Sequence, residues 1–139
     1  MEMIKFINTP IHLDQSKATK MLYTAESFYG VTIYKLVYSF ISKDQMFKLN
    51  TRYLNHNTDT DIISFCYGEG KVINSEVYLS IFQIIENAKE NSQTIENELV
   101  RVLSHGFLHS VGFNDKSDLE KKVMIKEENK MIDMFHVEQ

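Results

Sequence analysis

Apolar and polar positions follow two different rhythms along the chain, and each change of rhythm marks an element. Residues 2–7, EMIKFI, predict a short first strand. From Ser16 to Phe28 the apolar positions Ala18, Met21, Leu22, Ala25 and Phe28 recur at three and four, the period of an amphipathic helix, and Gly30 supplies its stop. VTIYKLVYSFISK is rich in β-branched and aromatic residues with partial alternation, as a half-buried strand is. Asp44 is expected to cap a short helix through Met46, Leu49 and Tyr53, which runs out in the polar loop NHNTDT. DIISFCY reads as a buried strand, GEGK as a turn, and 73–81 (INSEVYLSI) as another strand leading into a helix near 82–90. Two more helices are expected, over roughly 93–111 and 117–135; the last carries apolar positions Leu119, Val123, Ile125, Met131 and Met134 with which to dock.

This succession predicts an α+β (α/β) fold, a mixed, roughly four-stranded sheet packed with four to five helices, the last third of the chain being helical. At 139 residues the chain can bury one core but not two, so 1–139 is read as one domain, expected to be a monomer. One proline and five glycines mark no linker, and no repeat is visible. The runs IISFCY and VYLSIF are far too short to span a bilayer, and Glu2 and Lys5 interrupt the N-terminal segment where a signal peptide would be apolar. A cytoplasmic protein without a membrane partner is expected. The single cysteine, Cys66, cannot form an internal disulfide and, lying in an apolar segment, is expected to be buried and inert.

Charge changes the picture only through its distribution. The net charge of −4 argues against a nucleic-acid partner, yet residues 1–55 hold seven basic against four acidic residues and residues 56–139 eight against fifteen. A basic surface beside an acidic, metal-attracting one fits that split.

The acidic part contains SHGFLHSVGFND, residues 104–115. On a helix His105 and His109 stack on one face, about 6 Å apart at Cβ, so both imidazoles can reach one ion. Gly112 can take the left-handed conformation that ends a helix and turns the chain back, bringing Asp115 in as a third, oxygen ligand. Two nitrogens and one carboxylate leave a fourth position of a tetrahedral zinc site open, which implies chemistry rather than a structural staple. A helical histidine pair alone is more often a surface pair or a set of satisfied core groups; the spacing H-x3-H-x2-G-x2-D favours one Zn2+ per chain. Glu98 and Arg101 precede His105 on nearly the same face, a polar stripe on an otherwise apolar helix that a metal-lined cleft explains. Zinc peptidases of the H-E-x-x-H type carry a glutamate beside the first histidine as general base; here that position is Gly106, which disfavours proteolysis.

These residues resemble the YbeY family of bacterial rRNA maturation factors, described as single-strand-specific metallo-endoribonucleases. The family signature is close to H-G-x-L-H-x-x-G-Y-D-H, matched by His105, Gly106, Leu108, His109, Gly112 and Phe113; Asn114 replaces the signature aspartate and Asp115 its third histidine. Upstream, LNTRYLNHNTDTDIISF follows the family's L-N-x-x-Y-R-x-x-D-x-P-T-D-V-L-S-F through Leu49, Asn50, Tyr53, Thr60, Asp61, Ser64 and Phe65, and Ser75, Glu76 and Val77 look like its G-D-I element. Leu54 stands where the family usually has arginine. The likeness covers roughly residues 45–135.

The resemblance implies a zinc-dependent endoribonuclease acting on single-stranded RNA in ribosomal RNA precursors, with small ribosomal subunit proteins as further partners. It makes Asp61 and Glu76 candidates for a general base or a carboxylate behind the ligands, and Lys48, Asn50 and Arg52, with Lys43 and Tyr53 nearby, candidates for phosphate and stacking contacts. His56 is expected to face solvent and His136 to fray. The competing readings are a ribosome-assembly RNA-binding factor whose metal only fixes the fold, which Leu54 favours, and, less well supported, a zinc peptidase.

Overall fold

The computed structural model describes residues 3–54 and 60–137. The elements run β1 (Met3–Ile7), α1 (Gln15–Tyr29), β2 (Thr32–Ile41), α2 (Lys43–Leu49), a wider π-type turn over Asn50–Leu54, β3 (Ile62–Cys66), β4 (Val72–Ser80), α3 (Ile81–Glu90), α4 (Ile95–Val111) and α5 (Asp118–His136). The expected α+β architecture is present: one four-stranded sheet in the order β1-β2-β4-β3, in which β1 and β4 both run parallel to β2, and β3 is an antiparallel edge strand beside β4.

Local chemistry sets the boundaries. Asp14 starts α1 by accepting from the Lys17 amide at 3.1 Å, and Gly30 ends it in the left-handed region at φ 66°. The first turn of α2 is capped by Ser42 in a reciprocal box with Gln45, not by Asp44, which lies inside the first turn. Ser42 has extended dihedrals suited to a cap; Asp44, two residues in, lends only its charge to the helix dipole. Beyond Leu49 the helix widens instead of continuing regularly to Tyr53.

Alternate strand positions separate the two faces of the sheet. Ile33, Leu36, Tyr38 and Phe40 of β2 and Val77 and Leu79 of β4 join the core beneath α1, α3, α4 and α5, while Lys35, Val37, Ser39, Glu76 and Tyr78 line the opposite face. Phe107, Leu103, Leu99 and Tyr38 are fully buried. Each such side chain contributes roughly 1.5–3 kcal/mol relative to exposure. The Tyr38 hydroxyl donates to the Leu103 carbonyl at 2.9 Å and fixes α4 along the sheet.

Three further expectations fail on this frame. Cys66 is exposed, because β3 is the edge strand and Cys66 its last residue; its Sγ lies 3.6 Å from Ser110 Oγ. The inward stripe of α5 is Met124, Glu127, Glu128, Met131, Ile132 and Phe135, so Leu119, Val123 and Ile125 are exposed. That stripe keeps the helical period only if two glutamates are counted as interior, and both have partners there. His136, expected to fray, is the last residue of α5 and packs edge-on against Phe135. Among the described residues, no helix is long and apolar enough to cross a membrane.

Candidate metal centre

α4 delivers the histidines because its other side is committed. Thr94 caps it, Leu99, Val102, Leu103, Phe107 and Leu108 bury its apolar side, and His105 and His109 emerge half-buried at the edge of that surface. Gly106 faces the sheet; a Cβ there would lie 3.1 Å from Val77 Cγ1 and 3.2 Å from Ile62 Cδ1. The position where a peptidase glutamate would stand is therefore the closest approach of helix to sheet. Gly112 takes φ 124° and hands its amide and that of Phe113 to the last carbonyls of the helix. Phe113 packs edge-on against Tyr29, ring centroids 5.8 Å apart, which anchors the returning chain.

The return brings Asp115 home. Its Oδ2 lies 3.2 Å from His105 Nε2 and 3.5 Å from His109 Nε2, and the two Nε2 atoms are 3.0 Å apart. Ligands bound tetrahedrally at zinc distances sit about 3.3 Å from one another. The donor set of His105, His109 and Asp115 matches that spacing, its ligand atoms all within 4.8 Å of one another, so these three side chains can hold a metal ion.

A second layer positions the first. Glu128, buried on α5, accepts from His105 Nδ1 at 2.7 Å, which leaves Nε2 as the ring nitrogen free to ligate. Its other oxygen accepts from Arg101 at 2.9 Å, and Arg101 also donates to Asn129 Oδ1 at 3.0 Å. Burial pulls the His105 imidazole down, but the Glu128 hydrogen bond and charge, with the charges of Asp115 and Asp61, outweigh it and hold the ring above its ordinary value. Sequence reasoning found Arg101 and missed Glu128. The available signal was the pair Glu127 and Glu128 falling in register with Met124, Met131 and Ile132.

A cleft of about 280 Å³ opens beside the triad, lined by Asp61, Ile62, Glu98, Arg101, Val102, His105, Asp115 and Glu128. Asp61 enters from the start of β3. Its carboxylate accepts from Asn87 at 3.2 Å and its carbonyl from the Ser80 amide at 3.0 Å. Burial raises its pKa above the ordinary carboxylate value, against the lowering effects of its own backbone, His105 and Asn87.

The remaining candidates lie elsewhere. Glu76 is on the far face of the sheet, accepting from the Tyr78 hydroxyl at 3.2 Å, and it lines a separate hollow with Leu49, Tyr53, Phe65, Tyr67 and Tyr78. Strand alternation is the reason: Val77 points to α4, so its neighbour Glu76 cannot. Lys48 and Arg52 are exposed and Asn50 is buried; none lines the metal cleft, and the Arg52 guanidinium lies 5.3 Å from the centre of the Tyr53 ring. His56 lies outside the described residues.

Fold and site together define an α+β metal-binding domain with two helical histidines and an aspartate beside an acidic cleft. The family model for endoribonuclease YbeY matches residues 6–136, and the chain belongs to that family. Endoribonuclease YbeY of Flavobacterium johnsoniae is 45% identical over 102 residues, covering 73% of each chain, and that of Phocaeicola vulgatus is 34% identical over 120 residues, covering 86% of this chain and 87% of the other. The solution structure of TM1509 from Thermotoga maritima shares the fold, with a TM-score of 0.65 at 24% identity over 96% of this chain and 89% of that one.

Proposed function

We propose that this protein is a zinc-dependent endoribonuclease that cuts single-stranded segments of ribosomal RNA precursors during rRNA maturation and ribosome quality control in the cytoplasm. The observation that carries the reading is the convergence of His105, His109 and Asp115 within 4.8 Å in a chain of the endoribonuclease YbeY family. One zinc per chain would be held by His105 Nε2, His109 Nε2 and Asp115, and would polarise a phosphoryl oxygen and acidify water.

The chain's own residues supply the rest. Glu128 and Arg101 fix the His105 ring. Asp61, which lines the same cleft as His105 and Asp115, takes the proton from the attacking water; its raised pKa brings it nearer the range a general base needs. Glu76 is left out of this catalytic set because it faces the other side of the sheet. Lys48 and Arg52, both exposed, contribute phosphate contacts to the RNA outside the cleft, and buried Asn50 is left out of the contact set.

Asp61→Asn tests the reading. The variant keeps the size of the side chain and loses the base, so cleavage of a single-stranded rRNA fragment by the zinc-loaded enzyme falls about 100-fold or more while zinc content is unchanged. Unchanged cleavage would remove Asp61 as the base; absence of cleavage in wild type with zinc bound would leave an RNA-binding factor with a structural metal.

A further inference from the structure

The sheet face turned away from α4 carries chemistry that the metal cleft does not use. Three mutually parallel strands, β1, β2 and β4, ordinarily have both faces covered, yet α1, α3, α4 and α5 all pack against one. On the other, the pairing register aligns Lys5, Val37, Glu76 and Phe65 in a single row across all four strands. Neighbouring strands lie about 4.8 Å apart, so the row runs roughly 14 Å from a cation through an acid to an aromatic ring. Lys35 stands further along the face, opposite Asn74, whose carbonyl accepts from the Tyr67 amide at 2.7 Å.

Aromatic rings gather at the β3 end. Phe65 meets Tyr53 and Tyr78 edge-on, with centroids 5.5 and 5.9 Å apart, and these three, with Tyr67 and Glu76, wall a hollow of about 250 Å³. Tyr53 and Tyr67 are 55% and 57% exposed, more than their packing on the sheet requires. An adjoining hollow of about 320 Å³ shares Glu76 and Tyr78 and takes in Lys5 and Lys35. Rings left in water beside cations suit single-stranded nucleic acid, whose bases stack on aromatic side chains while its phosphates pair with ammonium groups.

We propose that this face is a platform for single-stranded RNA, on which one base stacks among Tyr53, Phe65, Tyr67 and Tyr78 while the neighbouring phosphates lie over Lys35 and Lys5. Charge favours that occupant. Lys5 and Lys35, with the Arg52 guanidinium 5.3 Å from the centre of the Tyr53 ring, outnumber Glu76, the one acid among the described residues lining the two hollows. Glu76 has its own use there: one carboxylate oxygen accepts from the Tyr78 hydroxyl at 3.2 Å, which leaves the other to accept from the N–H groups of a base edge. The platform also adjoins the metal cleft. Phe65 follows Asp61 by four residues, roughly 13 Å of extended chain, so one RNA strand passing around the β3 edge reaches both. The choice of RNA as occupant rests on the endoribonuclease reading.

The experiment measures, by fluorescence anisotropy over a range of salt, how the zinc-loaded full chain binds a labelled single-stranded 2′-O-methyl RNA oligonucleotide of mixed sequence, which resists cleavage. Tyr53→Leu and Tyr67→Leu each weaken binding about fivefold or more and leave its salt dependence unchanged. Lys5→Gln and Lys35→Gln each lower the slope of log affinity against log salt by about 0.7, the share of one phosphate on a single strand. Retained zinc and an unchanged circular dichroism spectrum show that the fold persists in all four. Wild-type affinity and salt slope in the variants overturn the proposal even where the enzyme cuts RNA, and assign the face to a partner other than nucleic acid; a wild type that binds no oligonucleotide overturns it as well. A wild type that binds in the expected way and cuts no RNA contradicts the nuclease reading and leaves the platform standing.

Discussion

Glu128 Oε2 lies 2.7 Å from His105 Nδ1, although 23 residues and a helix boundary separate them in the chain. This bond ties α5 to the metal centre. It fixes both the ring's orientation and its tautomer, the work that carboxylates do behind metal-bound imidazoles.

Glu128→Gln should therefore weaken zinc binding about 10–100-fold without removing a ligand. Competition with a chromogenic chelator reads the affinity, and far-ultraviolet circular dichroism confirms that the helices persist. Equal affinity in wild type and variant would show that the His105 ring needs no such support.

The fit of α4 to the sheet gives a second outcome. Gly106→Ala places a methyl 3.1 Å from Cγ1 of the fully buried Val77 and 3.2 Å from Cδ1 of Ile62, which is half-buried at the edge of the cleft, so the fit against Val77 decides the outcome. Helix propensity favours alanine, by up to about 1 kcal/mol, but overpacking costs about 1–3 kcal/mol. Urea denaturation should show a net loss of stability; a gain would mean that the helix-to-sheet gap is wider than the structure has it.

Three groups around the cleft set the pH dependence of the metal-free protein. Burial raises Asp61 and Glu98 above their ordinary 3.8 and 4.5; at His105 burial works the other way, but the Glu128 bond and the nearby carboxylates carry the ring above 6.5. For each, the folded pKa exceeds the unfolded one. Its stabilising contribution is full below the unfolded value and lost as pH rises through the folded value. Glu127 has the opposite sign: burial opposes ionisation, yet bonds from Lys130 and Tyr29 hold it below 4.5, so its contribution is lost as pH falls through that lowered value. The melting temperature of metal-free protein should thus fall as pH rises from above the ordinary carboxylate values to above the ordinary imidazole value, and zinc should restore most of the loss at the upper end. A melting temperature that climbs over this range would contradict the environment described for the cleft.

Much of this was legible in the chain. The three-and-four spacing of Ala18, Met21, Leu22 and Ala25 marks the buried side of α1, and His105, His109, Gly112 and Asp115 spell out a helix, a break and a return. What stayed hidden depends on long-range placement. Period-2 alternation puts Glu76 and Val77 on opposite faces but does not say which face meets α4. Glu128 looks like one more surface charge until α5 is docked, since its burial depends on Arg101 and His105 arriving from another helix. Cys66 sits in an apolar run, and only the strand order makes that run an edge.

The absorption spectrum of the cobalt-substituted protein bears most directly on the central claim that His105, His109 and Asp115 grip one ion together. One Co2+ per chain should give the intense visible bands of a tetrahedral site, and His109→Ala should abolish them while circular dichroism stays near that of wild type. Weak octahedral bands, or a tetrahedral spectrum that survives His109→Ala, would contradict it.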